Sequence, residues 1–237
     1  MAHYLGEIDK AETSYEAALA IWEESGDRRR AALLMCNLVL LLAPLPERRD
    51  KAKEMGERCL AESRALNFPA GIAAALTGLG LIAEGEGDLR LAVRCHEESA
   101  AVCRESEDRS GLARSLGILG LIAADLGDHR RGAGLARESL QIFTALGDEE
   151  GIATTLEMLA SVARASNDAR LAARLHGAAA ARWAELVLPL PLALARRHET
   201  SITALRDALG AAEFDTEWEA GRRLTDELVL REIDGFC

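Results

Sequence analysis

A chain of 237 residues can hold one large domain or a short array of repeats, and its 49% hydrophobic content supplies a substantial core. The apolar residues are mostly Ala and Leu, with only 4% aromatics, a composition that favours helix. The net charge of −11 repels a phosphate backbone, so direct nucleic-acid binding is not expected.

The N-terminal stretch MAHYLGEIDKAE has neither the basic start nor the apolar run of a signal peptide. The longest apolar run, residues 31–46, contains Asn37, Pro44 and Pro46 and is too short to span a bilayer. The five cysteines, Cys36, Cys59, Cys95, Cys103 and Cys237, are odd in number and form no C-x-x-C pair. That reads as reduced thiols acting as small apolar fillers in a cytoplasmic protein without membrane contact.

In chain order, LGEIDKAETSYEAALAIWEESGD comes first, with Ile8, Tyr15, Ala18, Leu19 and Trp22 on one helical stripe. It matches only the second helix of the units that follow, so residues 1–29 read as a half repeat. One side of the stripe should meet Leu34, Leu38 and Leu41; the other lacks its partner helix. An open apolar end invites association, so either the natural chain extends upstream or this end pairs with another subunit. Residues 30–70 form a weak repeat with one extra residue near Pro44-Leu45-Pro46. Three strong copies follow, 71–110, 111–150 and 151–190, with Gly71, Gly111 and Gly151 forty residues apart. Ala73/Ala113/Ala153, Leu76/Leu116/Leu156, Leu79/Leu119/Leu159 and Asp88/Asp128/Asp168 recur in register.

Each copy reads as two helices. The first carries apolar or small residues at 72, 73, 76, 79, 80 and 83. Gly87 stops it and Asp88 caps the second, with Asp108 and Asp148 capping the next units. Small residues at Gly80, Gly120 and Ala160 allow close helix pairing. Residues 191–237 form a helical cap: Leu194, His198, Ile202, Leu205 and Leu209 make one amphipathic helix, Phe214 and Trp218 pin the next, and Thr225 starts a last short one.

The pattern small-x-x-Leu-x-x-Leu-Gly, then Gly-Asp, then an acidic-Ser-Leu helix resembles the forty-residue variety of the tetratricopeptide repeat, as in HEESAAVCRESED and RESLQIFTALGDEEGIA. The tail is similar to the C-terminal end of bacterial regulators that join an NTPase or effector domain to such repeats, sometimes with a LuxR-type DNA-binding domain. That likeness rests on Leu-x-Gly-Ala-Ala, Pro-Leu-Pro, Ala-Leu-Gly, Phe214 with Trp218, and Gly-Arg-x-Leu-Thr. No nucleotide-binding segment or helix-turn-helix accompanies it. The resemblance implies an all-α, right-handed superhelix of antiparallel helix pairs with a helical cap, acting as a protein- or peptide-binding module in signalling or transcription regulation. The alternatives are a stand-alone adaptor and a small-molecule inducer sensor. Carried over by position, its concave face is the outer stripe of the first helices, including Leu81, Glu84, Arg114, Leu121, Asp125, Glu157, Ser161 and Arg164. An apolar groove with a few charges suits an amphipathic helix or peptide, and the chain's own tail is the rival occupant.

No enzyme is expected. No lysine follows a glycine as a P-loop requires, and no G-x-S-x-G elbow occurs. His198-Glu199 begins like H-E-x-x-H, but position 202 is Ile, so His198 reads as an exposed helix residue. Cys95, His96 and Cys103 share a helix, but Cys95 and His96 point about 100° apart, poor geometry for chelation. His96 and its equivalent eighty residues on, His176, read as packed, hydrogen-bonded histidines. No cofactor or metal is expected.

Overall fold

Aspartates set the helix starts. The side chains of Asp27, Asp88, Asp108, Asp128, Asp148 and Asp168 each accept a hydrogen bond from the backbone N–H three residues on, satisfying one of the donors a helix N-terminus leaves open. Gly87, Gly127 and Gly147 end helices with positive φ, and Asn67, Glu107 and Asn167 adopt the same left-handed conformation at the matching breaks.

A computed structural model describes residues 2–186, 190 and 192–234. Its helices are α1 Ala2–Glu24, α2 Arg28–Leu42, α3 Arg49–Ala65, α4 Pro69–Glu86, α5 Leu89–Glu105, α6 Arg109–Asp125, α7 His129–Leu146, α8 Glu149–Ala165, α9 Ala169–Leu186, α10 Leu192–Leu209, α11 Ala211–Gly221 and α12 Asp226–Asp234. The described residues are all-α, packed as helix pairs, and hold no strand. No helix among them is long and apolar enough to cross a membrane. The chain divides into two compact units, Met1–Gly111 and Leu112–Cys237, with the boundary inside α6.

In the first unit, α1 lies against α2. Leu19 is buried with Ala32, Met35, Cys36 and Leu38 of α2, and Tyr15, Trp22 and Leu34 pack partly buried around them. Glu12, almost fully buried, bonds both Arg48 and Lys51. Ile21 stays exposed on α1. The Pro44-Leu45-Pro46 stretch is taken up by a 3-10 turn, Pro46–Arg48, because proline fits a first helical position and cannot continue a helix interior. The Sγ atoms of Cys36 and Cys59 are 2.6 Å apart, joining α2 to α3. The bond between them, with burial, drives the Cys36 thiol up; receiving that bond holds Cys59 below the usual thiol range.

In the second unit the core runs through α7, α8, α9, α10, α11 and α12. Leu140, Ile152, Leu156, Leu159, Leu175, Leu205, Phe214, Val229 and Ile233 are buried together. Glycine makes the α9–α11 contact: a Cβ on Gly177 would fall 2.2 Å from the Trp218 carbonyl oxygen, and one on Gly221 would fall 1.9 Å from that of Arg174. Within the second unit's first pair, a Cβ on Gly120 would lie 2.7 Å from the Gly132 carbonyl oxygen. Phe214 is buried and stacks 5.6 Å from Trp218, but Trp218 is only partly buried, so the two do not share the sequence-expected burial equally. Pro189, Pro191 and Cys237 lie outside the described residues.

Candidate functional site

The first helix of the last pair, α8, carries Glu157, and the second, α9, carries His176 opposite it. The carboxylate Oε2 of Glu157 accepts a hydrogen bond from His176 Nδ1 at 2.8 Å. The cap helix α10 supplies two more groups one turn apart: His198, whose Nδ1 donates to the same Oε2 at 3.0 Å, and Ser201, whose hydroxyl bonds His176 Nε2 at 2.8 Å. The two imidazoles meet edge to face with centroids 5.0 Å apart, and the Trp218 ring stands 6.4 Å from that of His198. Glu157, His176 and Ser201 are buried; the His198 side chain keeps 25% of its exposure and is the cluster's side toward solvent.

Burial works against the charged carboxylate of Glu157, but the two imidazole hydrogen bonds outweigh it and hold the pKa below the usual glutamate value. The hydrogen bond to Glu157 raises the pKa of His198 against the opposing effect of burial. The second carboxylate oxygen, Oε1, is buried with no hydrogen-bond partner. Among the described residues, this is the one group of three such side chains whose ligand atoms converge, all within 4.8 Å of one another.

Three of the eight residues expected on a binding face, Glu157, Ser161 and Asp125, bear on this cluster or on the helix that closes it. Glu157 is enclosed rather than presented. Ser161 is buried and bonds the Glu157 carbonyl oxygen at 3.1 Å. Leu121 is buried as well. Asp125 receives two hydrogen bonds from Arg197 of α10, at 2.6 and 3.1 Å. The chain's own tail therefore covers this part of the stripe. Arg164 is half-buried, as are Leu81 and Glu84 in the first unit, where Glu84 bonds His96 Nε2 at 3.1 Å. Arg114 is exposed and lines a cleft of about 110 Å³ with Gly117, Ser139, Thr154 and Met158, between α6, α7 and α8.

His198 corrects the sequence expectation: it is half-buried on Glu157, not an exposed helix residue. The signal lay in its own helix. His198 sits on the apolar stripe with Leu194, Ile202 and Leu205, and Leu194 and Leu205 are buried. A polar residue on such a stripe goes where a partner waits. Cys95 and His96 are both buried in α5 and form no ligand group with Cys103.

No protein-family model matches this chain, and no curated protein sequence matches it. Among solved structures, the chain is similar to the crystal structure of BtubC (BKLC) from P. vanneervenii, with a TM-score of 0.61 and 18% identity, covering 97% of this chain and 91% of that one. At that identity the likeness is one of fold.

Proposed function

We propose that this chain is a tetratricopeptide-like binding module, a superhelix of helix pairs that recognises an extended peptide or protein segment. The observation that carries this reading is the cleft beside Arg114. It gathers Arg114 and Gly117 of α6 with Thr154 of α8, on two successive first helices, which is where a peptide running across the helices would lay its side chains. Its volume of about 110 Å³ suits one side chain. A small-molecule pocket typically encloses about 300–1,000 Å³, more than this cleft offers. Farther along the same stripe the chain's own α10 is seated on Asp125 and Glu157, so a partner would approach from the Arg114 side. The resemblance of the tail to bacterial regulators supports a coupling role between an effector domain and its signal; a stand-alone adaptor is the other form of the same binding function.

Selection of a displayed peptide library on the full chain, with Arg114→Glu as counter-selection, tests the proposal. Arg114 is exposed, so the variant should fold normally. Peptides whose affinity falls tenfold or more on Arg114→Glu support the reading. A selection that returns no binder, or binders indifferent to the change, overturns it.

A further inference from the structure

We propose that Glu157, His176 and His198 form a binding site for a divalent transition-metal ion, with zinc the best fit, that clips the cap helix α10 to α8 and α9. Two imidazole nitrogens and one carboxylate are a ligand set zinc uses, at bond lengths of about 2.0–2.2 Å. Tetrahedral ligands at that length stand roughly 3.3 Å apart. Here the two Nδ1 atoms lie 2.8 and 3.0 Å from the Glu157 oxygen and all three ligand atoms fall within 4.8 Å of one another, so the groups an ion would bind already converge.

Three further observations point to a ligand rather than to packing alone. Glu157 Oε1 is buried without a hydrogen-bond partner, a loss that a cation bound by both carboxylate oxygens would cancel. Ser201 holds His176 Nε2 at 2.8 Å, the outer contact that would orient the imidazole once Nδ1 gives up its proton to a metal and Nε2–H donates to the hydroxyl. Among the described residues the ion-pair partners of Glu157 are His176 and His198, groups that can themselves ligate. The partial exposure of His198 leaves an entry path and room for a water as fourth ligand.

Cobalt(II) is the probe, because its visible bands report coordination number and ligand type. Full-length chain stripped with chelator is titrated with cobalt(II), followed by competition with zinc. One cobalt per chain, with the intense visible bands of a four- or five-coordinate nitrogen–oxygen site displaced by zinc, is expected. His198→Gln and Glu157→Gln should each weaken binding at least tenfold, and Ser201→Ala by about tenfold, in the range of outer-contact losses. Circular dichroism on the apo variants separates lost ligation from lost folding, and His198→Gln, at the half-exposed position, is the variant that keeps the fold. Absence of binding to wild type overturns the proposal. So does binding that His198→Gln leaves unchanged, or a near-ultraviolet thiolate-to-cobalt band, which would place the ion on the cysteines.

Discussion

His96 and His176 occupy the same position of two repeats, yet their surroundings differ. His96, in the first unit, is fully buried and has one carboxylate, Glu84, whose side chain keeps 16% of its exposure. His176, in the second, is equally buried but meets Glu157, itself only 3% exposed, together with His198 and Ser201. The acids themselves stand at different repeat positions: Glu84 matches Arg164, and Glu157 matches Thr77. A Cβ on Gly80 would fall 2.4 Å from His96 Nε2, so that ring lies over a bare glycine and reaches forward to Glu84. The equivalent residue in the second unit is Ala160, whose methyl takes that space, and His176 bonds backward to Glu157. The shifted acid thus separates a simple packed pair from a cluster that a third helix joins.

The largest effect should come from removing what seats that third helix. Phe214→Ala empties a buried site in the second unit and should cost about 3–5 kcal/mol, whereas Trp218→Ala, on a partly buried ring, should cost clearly less. Chemical denaturation of both variants checks the order; equal losses would mean the cap is held by the pair and not by Phe214.

Next comes the histidine pair itself. His176→Leu leaves a buried carboxylate with one donor fewer and should destabilise by about 2–3 kcal/mol. His96→Leu should cost about 1 kcal/mol, because Glu84 can turn toward water. If the two variants melt together, burial of the acid is not what distinguishes the sites.

Gly80→Ala brings the first unit's position to the residue found in the second. The new methyl must displace the His96 ring, at a cost of about 1–3 kcal/mol. The His96 imidazole resonances should then lose their coupling to Glu84. An unshifted spectrum would mean that the ring accommodates the methyl without leaving Glu84.

The smallest effect is expected from Arg197→Ala. Its ion pair with Asp125 is roughly a third exposed on both sides, so the loss should stay below about 1 kcal/mol while freeing the end of α10. Hydrogen exchange across α10 measures that release; a loss of several kcal/mol would instead mark Arg197 as a main anchor of the cap.

Helix by helix, much of this protein is decided locally. Apolar residues every three to four positions, Asp caps and left-handed glycines are short-range signals, and the helix ends fall where those residues stand. The forty-residue recurrence likewise placed His96 and His176 at one buried position before any packing was known. What local signals could not settle was which residues of the first-helix stripe face outward. Glu157 and Arg114 stand on the same stripe, yet one is enclosed and the other exposed. The difference is made by α10, which returns across 41 residues of chain to put His198 on Glu157 and across 72 to put Arg197 on Asp125. Such a docking depends on shape and on backbone contacts closer than a methyl would allow, as at Gly177 and Gly221, and those distances exist only once helices remote in sequence are packed together.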